Sequence, residues 1–160
     1  MKTKSIQNFS RTTPFLRFRG KLISGLGEGC FYLSKQKYRQ NIQKSLGYTP
    51  FPGTLNVKLL EKLEADYFKK ISFIHIRGFY ENKRKFYYAR CYPCLLFFRN
   101  KSYTERQCSE LLLKTNTHII IPKINKHNDD VLEIIAPFSF RERYNLQDGD
   151  SVEILTYSIF

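Results

Sequence analysis

The chain has no run of about 18 apolar residues, so no membrane-spanning helix is expected. Its first twenty residues, MKTKSIQNFSRTTPFLRFRG, lack the apolar run a secretory leader needs. Both absences predict a soluble, cytoplasmic protein. Acids are scarce at the start. Residues 1–50 hold one, Glu28, against ten Lys and Arg. The whole chain has 27 Lys and Arg against 14 Asp and Glu, a formal net charge of +13. The balance reverses over 129–160, where seven acids meet only Arg141 and Arg143. A basic surface favours anionic partners such as nucleotides, nucleic acid or acidic lipid. Charge alone does not separate a polyphosphate from RNA, or either from a merely solvated surface.

Several chemical motifs are also missing. No G-x-x-x-x-G-K-[ST] P-loop occurs, and no G-x-S-x-G elbow, which argues against a serine hydrolase. His75, His118 and His127 are too far apart for a helical zinc pair. The four cysteines are Cys30, Cys91, Cys94 and Cys108. CYPC at 91–94 has the spacing of a zinc half-site or a redox pair, but no second pair completes a zinc site. A redox motif opens a helix, whereas FYYARCYPCLLFF reads as a strand. Buried thiols acting as small hydrophobes are therefore expected, with zinc shared by Cys108 or His118 as the alternative.

What is present suits one folded domain. Of 160 residues, 42% are hydrophobic and 16% aromatic. FLRFRGKLI (15–23) reads as a strand and SGLGEG (24–29) as a glycine loop. FYL (31–33) is expected to be extended. Ser34 is expected to cap a helix closed by Gly47, with Tyr38, Ile42 and Leu46 on one face. GTLNVKLL, ISFIHIRGF, KFYYARCY, CLLFFR, HIIIP and VLEIIAP read as strands. Residues 61–70 and FSFRERYN read as short helices, and LQDGDSVEILTY as an Asp-Gly turn and a last strand. Many short strands without a βαβ rhythm predict a mainly β fold, a barrel. Residues 1–14 read as a loose basic arm before a single domain over 15–160.

Two features suggest a site. GLGEG supplies Gly25, Gly27 and Gly29, which let backbone amides approach a phosphate, though the dinucleotide fingerprint lacks its last glycine. A plain tight turn is the alternative. In FPGTLNV, Thr54 and Asn56 sit two apart, so a strand aims both at one face. Their hard oxygens suit a magnesium ion that also holds substrate phosphates. Pairing across strands or closing a turn is the other explanation.

GKLISGLGEGCFYLS with Tyr38, LGYTPFPGTLNVKL, IIIPK and LEIIAPFSFRERYNLQDGDSVEI occur in that order. In order and spacing these blocks resemble the archaeal CTP-dependent riboflavin kinases, from about Arg19 to Ile154. The resemblance implies a six-stranded cradle-loop, Greek-key-like β barrel with a few short helices. It implies phosphorylation of riboflavin to FMN with CTP as donor, CDP as product and Mg²⁺ as cofactor. It places nucleotide binding on Leu26, Gly27, Glu28, Gly29, Cys30 and Phe31, and on Phe138, Ser139, Phe140 and Arg141. It places the magnesium ligands on Thr54 and Asn56, and flavin binding on Asn125 and Glu133. Asn125 stands where the family usually has Thr, and Cys30 where a longer or basic residue is common. Segment 99–117 is longer than the family's connection and reads as an insertion. Glu133, the one charge in VLEIIAP, is the candidate to orient or deprotonate the ribityl hydroxyl, unless it faces solvent on an alternating strand. A nucleic-acid-binding barrel is the rival reading, from the basic and aromatic FLRFRGK and RGFYENKRKFYYAR. An inactive flavin-sensing relative is a third.

Overall fold

The computed structural model describes residues 15–25, 28–62, 68, 73–98, 107, 115–123 and 130–157. The strands are β1 (Phe15–Ile23), β2 (Leu55–Leu59), β3 (Ile74–Ile76), β4 (Phe79–Glu81), β5 (Arg84–Phe86), β6 (Ala89–Phe98), β7 (His118–Pro122), β8 (Val131–Ile135) and β9 (Ser151–Tyr157). Three short helices join them: α1 (Glu28–Ser34), α2 (Gln36–Leu46) and α3 (Phe140–Tyr144). The main sheet runs β3-β6-β7-β8-β2-β1-β9, and β9 pairs back onto β6. Every pairing is antiparallel. Six strands thus close into a barrel and β3 adds to the first half of β6. Closure removes the free edges that an open sheet of this size would expose.

Alternation along the strands separates two cores. Leu55, Val57 and Leu59 of β2 and Leu132 and Ile134 of β8 fill the barrel with Phe18, Leu22, Tyr92 and Ile154. The other face of the same strands carries Asn56, Lys58 and Glu133, with Thr54 just before β2. A second cluster lies outside the barrel. There Leu33, Tyr38 and Ile42 of α1 and α2 cover Ile76, Cys91, Ile120 and Ile135.

The helix ends follow local chemistry. Gly47 takes a left-handed conformation at φ 83° and its N–H donates to Gln43 O, as a C-terminal glycine should. Ser34 does not cap α2. Its hydroxyl donates to Phe31 O at 2.8 Å, within the turn that ends α1, and Lys35 precedes α2 without a side-chain cap. FYL is helical, not extended. Three residues are too few to show a period, and burying Leu33 beside Ile42 decides for a helix. The hairpin β4–β5 turns through Asn82 and Lys83, both at positive φ. The arm over 1–14, most of 61–70 and most of 99–117 lie outside the described residues.

CYPC lies within β6. Cys91 faces the outer cluster and Cys94 the barrel interior, because residues three apart in a strand point to opposite faces. The pair therefore cannot grip one ion. Burial pushes both thiols well above their ordinary pKa, so neither is the thiolate that a metal or a disulfide exchange needs. Cys91→Ala and Cys94→Ala should each cost about 1 kcal/mol, the scale of one buried heavy atom and its void. Urea titration measures this beside kinetics and elemental analysis. Stoichiometric zinc, or loss of activity without loss of stability, would overturn the packing role.

His118, the other zinc candidate, is buried with its Nδ1 hydrogen-bonded to the Tyr48 hydroxyl at 2.9 Å. Burial lowers its pKa from 6.5 to about 4. A folded-state pKa below the unfolded one means the unfolded chain takes up the proton first. Stability should be full above about pH 6.5 and fall as pH drops toward 4, by about 3 kcal/mol from this group. Denaturation of wild type and His118→Asn at about pH 7 and about pH 4.5 isolates the effect. Equal pH slopes for the two proteins would remove His118 as its source.

Candidate active site

The site forms where β1, β2 and β8 turn the same face outward. Asn56 stands opposite Glu133 in the β2–β8 ladder and opposite Ile23 in the β1–β2 ladder. The Thr54 hydroxyl lies 3.3 Å from Asn56 Oδ1 and 3.2 Å from Glu133 Oε1, within hydrogen-bond reach of both. Asn56 Nδ2 reaches Thr54 O at 3.5 Å. Asn56 is 6% exposed, so its carboxamide is held by the protein rather than by solvent. Glu133 is half-buried and does not lie on an open surface. Tyr38 of α2 lies close by. Its phenol is pushed up by burial first, with the charge of Glu133 adding to the rise.

Gly25 closes the site from above. A Cβ there would sit well inside van der Waals contact of Asn56 Nδ2. The first glycine of GLGEG is therefore needed for close packing, whatever its backbone freedom. Leu26 and Gly27 lie outside the described residues, as does Asn125. Glu28, Gly29 and Cys30 form the first turn of α1, so the glycine loop is shorter than expected and runs into a helix. Phe31 follows, exposed, with Lys35 and Arg84 over its ring at 5.0 and 5.4 Å.

The second segment adjoins Thr54. A small cavity of about 90 Å³ is lined by Phe51, Gly53 and Thr54 on one side and by Phe138, Ser139, Phe140 and Arg141 on the other. Ser139 caps α3 by accepting a hydrogen bond from Glu142 N at 3.3 Å. Phe140 is buried in the barrel core. Phe138 packs on Phe140 at 4.9 Å and lies under Arg143 at 3.7 Å. Arg141 Nη2 donates to Ile23 O at 3.0 Å and to Asp148 Oδ1 at 2.6 Å.

Thr54, Asn56 and Glu133 therefore meet, and segment 138–141 borders Thr54 across the small cavity. The donor set fits magnesium. It offers a hydroxyl, a carboxamide oxygen and a nearby carboxylate, all hard oxygens within one cluster. Among the described residues no group of three His, Cys, Asp or Glu is placed to hold a metal. That is compatible with an ion that keeps water and takes substrate oxygens. Sequence reasoning missed the contact of Gly25 with Asn56, the closeness of Tyr38 and the bond between Arg141 and Asp148. DGD signalled only a turn.

Fold and site define the class: a closed β barrel with a cluster of hard oxygens at the foot of a glycine turn. The family model described as CTP-dep_RFKase, domain of unknown function DUF120, matches residues 22–156. The chain belongs to the CTP-dependent riboflavin kinase family. It is 39% identical over 144 residues to a riboflavin kinase of Pyrobaculum islandicum, covering 89% of this chain and 61% of that one. It is 34% identical over 148 residues to a riboflavin kinase of Methanospirillum hungatei, covering 91% and 60%. A riboflavin kinase of Ignicoccus hospitalis is 33% identical over 146 residues, 89% of this chain and 72% of that one. The chain thus spans about three fifths of the first two relatives. Among the described residues no helix is long and apolar enough to cross a membrane.

Proposed function

We propose that this chain is a cytoplasmic riboflavin kinase that transfers the γ-phosphate of CTP to the ribityl 5′-hydroxyl of riboflavin, giving FMN and CDP. One observation carries the proposal. Glu133, assigned to the flavin by resemblance, accepts from Thr54 and stands opposite Asn56, the pair assigned to the metal. Donor and acceptor ends of a phosphoryl transfer would meet at such a point.

Thr54 Oγ1 and Asn56 Oδ1 would hold a magnesium ion. When bound, the ion neutralises phosphate charge and orients the phosphates. The backbone from Leu26 to Phe31 holds the polyphosphate. Segment 138–141 acts mainly through its backbone, because Phe140 is in the core and Ser139 caps a helix. Asn125 and Glu133 hold the flavin. Glu133 takes the proton of the ribityl hydroxyl as its oxygen bonds to the γ-phosphorus and the β–γ bridging bond breaks. Positioning and charge neutralisation supply most of the rate.

The test incubates purified protein with riboflavin, Mg²⁺ and each of CTP, ATP, GTP and UTP, followed by flavin chromatography. FMN formed with CTP is the expected result. Flavin binding without FMN from any donor would indicate a sensor and overturn the kinase assignment. A nucleic-acid-binding barrel is the second reading, favoured by exposed Tyr80, Tyr87 and Tyr88. Lys85 lies over Tyr80 and Tyr87, and Lys123 over Tyr87 and Tyr88. FLRFRGK favours it less, since Arg17 and Arg19 both pair with Glu153. Tight binding of a single-stranded oligonucleotide with no FMN formed would favour this reading.

A further inference from the structure

Asp148 lies in the turn between α3 and β9, 124 residues from the glycine turn in sequence yet bonded to it. Its two oxygens are used separately. Oδ2 accepts from the Ser24 hydroxyl at 2.6 Å, and Oδ1 accepts from Arg141 Nη2 at 2.6 Å. The same Arg141 nitrogen donates to Ile23 O at 3.0 Å. Ser24 immediately precedes Gly25, which packs on Asn56. Arg141 ends the second segment beside Thr54.

The turn that presents Asp148 is itself fastened to β1. Gly149 N donates to Leu22 O at 2.8 Å and Leu22 N to Asp150 O at 2.9 Å. Within the turn, Gln147 N donates to Asp150 Oδ2 at 2.8 Å and Asp150 N to Gln147 O at 3.1 Å. Asp148 therefore projects from an anchored base. The bonds from Ser24 and then Arg141 hold its carboxyl below the usual range, so it acts as an anion near neutral pH.

We propose that Asp148 is a positioning residue for the nucleotide, a clasp that ties the entrance of the glycine turn to Arg141. The inference rests on the kinase reading above, because that reading makes these two segments the walls of one nucleotide site. Arg141 then acts through the protein. Its guanidinium is directed at Asp148 and at the end of β1, where it braces the glycine turn. Without the clasp, each segment remains folded but their relative placement is looser. Part of the binding energy is then spent on ordering them. Such a loss weakens ground state and transition state alike, so it raises KM and leaves kcat in place.

Asp148→Asn keeps the size and turn preference of the residue but removes the charge and replaces one acceptor with a donor. The expected result is a rise of about tenfold in KM for CTP, the scale of one charge-assisted hydrogen bond. The kcat at saturating CTP should stay within about twofold, with riboflavin KM and melting temperature near wild type. Ser24→Ala should raise the CTP KM less. The double variant should fall short of the product of the two effects, since both remove one shared bond. Calorimetric titration with CTP and CDP, without flavin, separates this inference from the kinase reading. A wild type that binds CTP but makes no FMN sinks the kinase reading, and the clasp is then judged by the weaker CTP binding of Asp148→Asn. A variant with wild-type CTP affinity, or one losing kcat and melting temperature together, overturns the clasp. So does a wild type that binds neither CTP nor CDP.

Discussion

Asn56→Ala should lower kcat/KM for phosphoryl transfer on the order of 10³-fold, the several kcal/mol that a correctly held metal contributes to charge stabilisation. The side chain is 6% exposed, and its oxygen lies 3.3 Å from the Thr54 hydroxyl. Alanine removes one of the two proposed magnesium ligands and leaves the Thr54 hydroxyl with Glu133 alone in this cluster. Riboflavin affinity, read by flavin fluorescence, should change by less than about threefold, because Asn56 is not among the residues proposed for the flavin; contacts made only to one ligand affect that ligand's binding. Raised Mg²⁺ should recover part of the activity, as expected when the lesion is in metal affinity. Gly25→Ala should reproduce the loss without replacing either proposed ligand, since its new Cβ must displace the Asn56 carboxamide. Should Asn56→Ala lose flavin binding and cooperative folding together, the pair is structural and the metal assignment falls.

Glu133→Gln carries the second large effect. The substitution preserves size and one acceptor but removes the charge that would take the hydroxyl proton. The kcat should fall by about 10²-fold or more, the range for loss of a general base. The CTP KM should be nearly unchanged, because the segments proposed for the nucleotide lie on other elements. Thr54 keeps an oxygen to donate to, so the cluster should hold its shape and the melting temperature should stay close to wild type. Steady-state kinetics beside riboflavin titration read both quantities. A fall of less than about tenfold in kcat would leave Glu133 only an orienting role, since positioning carries much of such reactions. Wild-type values for both would take Glu133 out of the site.

Much of the barrel was legible in the residues because strand alternation is a local signal. HIIIP, VLEIIAP and FLRFRGKLI each form a strand, and FSFRERYN gives α3 with Ser139 as its cap. The same alternation placed Thr54 and Asn56 on one face, and the 3.3 Å contact between their side chains agrees with it. Signals two or three residues long failed. FYL could not show a helical period, and Ser34 offered a capping chemistry that α1 uses at its own end. The Asn82–Lys83 turn carries no glycine and passed unread between two apolar runs.

Composition and order of motifs by themselves determined the fold class, the family resemblance and the pairing of Thr54 with Asn56. Each depends on residue types and short spacings, which local backbone geometry converts directly into facing direction. Tertiary structure alone decided that Glu133 meets Thr54 across 79 residues and that Gly25 must lack a Cβ over Asn56. It also decided that Cys91 and Cys94 serve different cores and that Asp148 reaches Ser24. These contacts depend on the register between distant strands. That register is set when the barrel closes and the whole apolar face of each strand turns inward at once. No window along the chain contains that information.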